Sequence, residues 1–73
     1  MEPLLDISAF LKARRKSVKL TQQALAERAG VGLRFIRDAE QGKTSLRLDK
    51  INQVLDLFGH SMAPVPTKNI EQR

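Results

Sequence analysis

A chain of 73 residues, 41% hydrophobic and 29% charged, has enough apolar material to fold but room for only one small domain. It has no cysteine and a single histidine, which excludes a disulfide framework and argues against a Cys- or His-only metal site. Thirteen Lys and Arg against eight Asp and Glu leave a net charge of +5, a balance that favours nucleic acid or another acidic surface as partner.

The first predicted helix runs from about Asp6 to Ser17. Asp6 can cap it, and Ile7, Phe10 and Leu11 share one face. Within it and just beyond, Lys12, Arg14, Arg15, Lys16 and Lys19 form a basic cluster without an acid, either a solvated helix face or a surface for a polyanion. A second helix is expected over Gln22–Ala29, capped by Thr21 and ended by Gly30. A third is expected from about Leu33 to Gln41, with Ile36 and Ala39 facing inward and Gly42 as its stop. Thr44–Arg47 reads as a connector with Leu46 tucked into the core. The fourth, from about Leu48 to Phe58, has the clearest amphipathic stripe: Leu48, Ile51, Val54, Leu55 and Phe58. Pro64 and Pro66 keep residues 60–66 from being helical, and that stretch is expected as a short edge strand. Residues 67–73 are expected to form a flexible tail. Apolar runs of two or three residues fall far short of the roughly 18 a bilayer span requires. The Met1-Glu2-Pro3 start lacks the features of a signal peptide, and the cysteine-free composition suits the cytoplasm.

The informative stretch is Leu20–Lys43. Two short helices are joined by Gly30, Val31 and Gly32. Ala26 is small where the helices must cross closely. Leu25, Ala29, Val31, Ile36 and Ala39 are apolar where such a pair must bury its inner side. Leu20-Thr21-Gln22-Gln23-Ala24-Leu25-Ala26, Gly30-Val31, Ile36 and Glu40-Gln41-Gly42-Lys43 together resemble the Cro/lambda-repressor-like (XRE-type) helix-turn-helix family, over roughly Leu11–Met62. Gly32–Arg37, Leu46–Lys50 and Phe58-Gly59-His60 are most similar to the small HipB-like antitoxins within it.

The resemblance implies an all-α bundle of four to five helices, with a short dimerisation strand at 60–66 and the domain ending there. It implies a dimeric, cytoplasmic and nucleoid-associated repressor of double-stranded DNA that controls its own operon and binds a HipA-type kinase toxin, with no cofactor. It makes the third helix the recognition helix, with Leu33, Arg34, Arg37 and Asp38 facing bases. A guanidinium at Arg34 or Arg37 can pair with guanine O6 and N7, and Leu33 can touch a thymine methyl. Asp38 can accept from cytosine N4, or orient Arg34 at i, i+4 spacing; the second role is favoured, since a free carboxylate is repelled by phosphates. Thr21, Gln22, Gln23, Gly32 and Lys43 match phosphate-contacting positions, which fix register without reading sequence. Arg15 and Glu40 match a structural ion pair, leaving Lys12, Arg14, Lys16 and Lys19 for general phosphate attraction. Met62 and Val65 fall in the dimer or partner segment.

Three positions depart from the family pattern. Lys19 stands where glycine is usual, Gly32 where Ser or Thr caps the recognition helix, and Arg14 where Leu or Ala is common. Phe35 reads as packing and His60 as a surface residue near a helix end. Ser45 and Ser61 have no base or acid that would make either a nucleophile, and no paired-carboxylate, phosphate-loop or metal signature suggests an enzyme. Two rival functions fit the same residues. One is a protein-interaction module with little DNA binding; the other is a phage-type or restriction-system controller repressor.

Overall fold

The computed structural model describes residues 6–66. Four helices follow one another: α1 (Ile7–Ser17), α2 (Gln22–Ala29), α3 (Leu33–Glu40) and α4 (Leu48–Asp56). The local chemistry sets their starts. The Asp6 carboxylate accepts from the Ser8 amide at 3.0 Å, and the Thr21 hydroxyl accepts from the Ala24 amide at 3.0 Å. Each satisfies a backbone donor that a helix start leaves without a partner. Gly32 and Arg47 begin α3 and α4 with no side-chain cap.

All four helices end in the same way. The amide one residue past the left-handed position reaches back five residues: Leu20 to Arg15, Val31 to Ala26, Lys43 to Asp38 and His60 to Leu55, at 3.0 to 3.1 Å. This is the Schellman closure, which needs a residue at positive φ. Gly30, Gly42 and Gly59 supply it after the last three helices, and Lys19 supplies it after the first with φ 61°. The turn that lacks the usual glycine therefore keeps the glycine conformation. The closures also shorten two helices relative to expectation. Gln41 lies beyond α3, and Leu57–Gly59 form a turn after α4.

The core is built from Leu11, Leu25, Ala26, Ile36, Ala39, Ile51, Val54 and Leu55, all buried. Ile7, Phe10, Leu20, Ala29, Val31, Phe35, Leu46 and Phe58 pack around it. Phe35 is thus a packing residue, as expected. Leu48 is not: it is 59% exposed, because the first residue of α4 stands ahead of the turn that meets the core. Ala26 is buried at 2% exposure, so α2 carries no bulk at the point where it meets the core.

The expected strand at 60–66 does not form within the chain, and the described residues contain no strand. Pro64 and Pro66 have no N–H to donate. The Met62 amide is already taken by the Asn52 side-chain oxygen at 2.8 Å. The tail expected over 67–73 lies outside the described residues. Among those residues no helix is long and apolar enough to cross a membrane.

Candidate nucleic-acid interface

The α2–turn–α3 unit is held from behind. Gln53 of α4 donates its side-chain amide to the carbonyls of Ala29 and Gly30, at 3.2 and 3.4 Å, which ties the turn to the bundle. Sequence reasoning missed this residue, because nothing in the α4 pattern separates Gln53 from a solvated polar position. With the turn fixed and Ile36, Ala39 and Glu40 buried, the opposite side of α3 is left to solvent.

That outer side carries the expected base-facing groups. The Arg34 side chain is 88% exposed and Arg37 is exposed, while Leu33 is half-buried. Asp38 stands between two cations. Its carboxylate is 3.9 Å from Arg34 Nε and 3.6 Å from Lys43 Nζ. Separations this long at a surface are worth a fraction of a kcal/mol each, so they bias side-chain direction more than they stabilise the fold. Asp38 therefore lies where it can steer both the exposed Arg34 and the lysine after the helix.

The start of α2 forms the neighbouring edge. Thr21 uses its oxygen as the cap, and Gln23 lies exposed and donates to Glu27 at 3.1 Å. Gln22 is half-buried and donates from Nε2 to Glu40 Oε1 at 3.1 Å. The backbone amides of Gln22 and Gln23 belong to the first turn, where orphan donors and the helix dipole favour an anion. Gly32, with open space around its Cα, and the exposed Lys43 border α3 at its two ends.

Behind this edge lies the structural pair. Arg15 donates from Nε to Glu40 Oε2 at 2.7 Å and from Nη2 to Oε1 at 3.0 Å, a two-pronged contact between α1 and the end of α3. Its third nitrogen donates to the Leu20 carbonyl at 2.9 Å, so the same side chain also braces the turn at Lys19. Burial pushes the Glu40 carboxyl up, but the bonds from Arg15 and Gln22 and the charges of Arg15 and Lys12 outweigh it, so the net shift is downward. The same contact raises Arg15, mainly through its bond to Glu40. Glu40 is an ionised group in the interior, fully engaged by its neighbours.

The tail residues take different places. Met62 is 46% exposed and borders an apolar cleft with Ile7, Leu46, Leu48 and Ile51. Val65 is 74% exposed. His60 lies at the surface, its Nδ1 2.7 Å from the Phe58 carbonyl and its ring 4.8 Å from Phe10. Arg14 is exposed and lies over the ring of Phe10, 5.6 Å from its centroid.

Two short helices set by a tight glycine turn, with the second helix presenting arginines outward, define a helix-turn-helix unit. A model of the helix-turn-helix family HTH_3 matches residues 11–64, and the chain belongs to that family. It is 47% identical over 57 residues to a Sinorhizobium fredii protein named an uncharacterized HTH-type transcriptional regulator, y4mF. The match covers 78% of this chain and 75% of that protein.

Proposed function

We propose that this protein is a DNA-binding transcriptional repressor that acts as a dimer, and that it is the antitoxin of a HipA-type kinase whose operon it controls. The observation that carries the DNA reading is the outer side of α3. Arg34 and Arg37 stand in solvent on α3, flanked by an α2 start and a Lys43 turn suited to phosphate. The name of the Sinorhizobium relative supports a role in transcription. One such unit reads only a few base pairs. Two copies on a two-fold axis would read half-sites about 34 Å apart, and their linkage would raise affinity without new contacts. The antitoxin part rests on the resemblance of Gly32–Arg37 and Phe58–His60 to HipB-like proteins. In this reading the protein acts by binding and performs no catalytic step.

The test is a fluorescence-anisotropy titration against the DNA upstream of its own gene and against an unrelated duplex, at about 50 and 200 mM salt. The proposal expects its own DNA to bind tighter by about a thousandfold or more, with a steep salt dependence. Equal and weak binding to both duplexes would overturn the autoregulator and favour a module whose partner is a protein. Co-purification with the product of a neighbouring kinase gene tests the antitoxin part. A well-expressed kinase that never forms a complex would contradict it.

A further inference from the structure

The basic cluster of α1 divides into separate tasks in the structure. Arg15 is spent on Glu40 and Leu20, Arg14 lies over Phe10, and Lys19 forms the turn. Lys12 and Lys16 are the two cations of the cluster that border a common cleft. They are four residues apart, so they share one edge of the helix, and both are exposed. Ser8, Ala9 and Ala13 on the same side have short side chains. With the two lysines and Glu40 they line a shallow cleft between α1 and the end of α3.

The position of this cleft gives it meaning. Its floor residue, Glu40, is bonded to Gln22 at the first position of α2. Its other end is near the turn after α3, where Ser8 Oγ lies 3.9 Å from where a Cβ on Gly42 would be. The cleft thus runs between the two elements assigned to phosphate. A free carboxylate on its floor would repel a polyanion, but Glu40 is neutralised by Arg15, bonded by Gln22 and under the field of Lys12. Among the described residues neither Lys12 nor Lys16 has an ion-pair partner.

We infer that Lys12 and Lys16 form a further DNA contact, a track for the sugar–phosphate backbone that joins the start of α2 to the Gly42–Lys43 turn. The inference rests on the DNA-binding reading above. Ammonium groups on flexible stems act as point charges, so this track adds affinity without reading bases.

The test uses the full chain carrying Lys12→Gln and Lys16→Gln, titrated against the upstream and unrelated duplexes from about 50 to 200 mM salt. Each phosphate contact contributes about 0.9 to the slope of log K against log salt, so losing two contacts from each protomer of the dimer should flatten the slope by about 3.6. It should weaken both duplexes by the same factor and leave their ratio unchanged. Arg28→Gln removes a charge beside Val18, Leu20, Leu57 and Phe58, away from the cleft, and should leave the slope as it is. An unaltered melting curve by circular dichroism confirms that the double variant folds. A folded double variant with the wild-type slope would overturn the inference while leaving the repressor reading intact. So would a slope change matched, charge for charge, by Arg28→Gln. A wild-type protein that binds neither duplex would overturn both.

Discussion

Replacing Arg15 by alanine removes three hydrogen bonds at once: two to the Glu40 carboxylate and one to the Leu20 carbonyl. The Glu40 side chain is 2% exposed and that of Arg15 is 13% exposed, so the carboxylate cannot recover its lost partner from water. Removing one partner of a buried pair costs about 3–5 kcal/mol, and the partial exposure of Arg15 puts this pair near 3. For a domain of this size about 1 kcal/mol moves the melting temperature by roughly 4–8 °C, so Arg15→Ala should lower it by about 12–24 °C. Glu40→Ala should cost less, about 2 kcal/mol, because the freed arginine can swing its head toward solvent. The double variant Arg15→Ala/Glu40→Ala leaves no uncompensated charge and should cost clearly less than the sum of the two single changes. Thermal melts of all four proteins by circular dichroism complete the cycle. The reasoning fails if each single variant costs under about 0.5 kcal/mol, as an exposed pair would, or if the two costs simply add in the double variant.

Three further outcomes follow from the same geometry. Lys19→Gly should raise the melting temperature by a few degrees. A side chain at φ 61° costs about 1 kcal/mol, and glycine's looser unfolded state returns only part of that gain; a lower melting temperature would contradict the strain. Gly32→Ser should stabilise by a few tenths of a kcal/mol in the same assay, since α3 has no side-chain cap and nothing lies within 4 Å to obstruct one. Glu40 has its folded pKa lowered from 4.5, so its contribution is complete above that value and is lost as pH falls through the lower, folded one. Melts taken down from neutral pH should therefore stay level until about pH 4.5 and then decline. The decline should be shallower in Glu40→Gln, and an equal decline in both proteins would place the acid sensitivity elsewhere.

Much of this arrangement was legible in the residues, for identifiable reasons. Asp6, Thr21, Gly30, Gly42 and Gly59 mark helix ends through local chemistry that needs no tertiary context, and each does so in the structure. Arg15 and Glu40 are 25 residues apart and were paired only by resemblance; no local rule links them, yet they meet at 2.7 Å. Leu48 shows the limit of periodicity. It continues the α4 stripe but falls at a helix start where no core remains to cover it. Gln53 shows a different limit, since its value lies in the carbonyls of Ala29 and Gly30, which become its neighbours only after folding. The segment at 60–66 was expected as a short strand because its prolines bar a helix and its place matches a dimerisation strand by resemblance; within one chain it forms none, and the bond from Met62 to Asn52 leaves no trace in a pattern of residue types. Asp38 between Arg34 and Lys43 was half visible: the i, i+4 partner follows from helix geometry, whereas Lys43 comes within 3.6 Å because the Schellman closure folds the chain back.

The central claim, that α3 and its two flanking turns meet DNA, is tested most directly by mapping backbone amide shifts of the isotope-labelled protein on addition of its own upstream duplex. The account predicts the largest changes at Gln22 and Gln23, across residues 32–38, and at Gly42 and Lys43, with Lys12 and Lys16 joining them and the Val54–Leu57 side little altered. Changes centred instead on Leu48, Leu57 and Met62, with Arg34 and Arg37 unmoved, would contradict it.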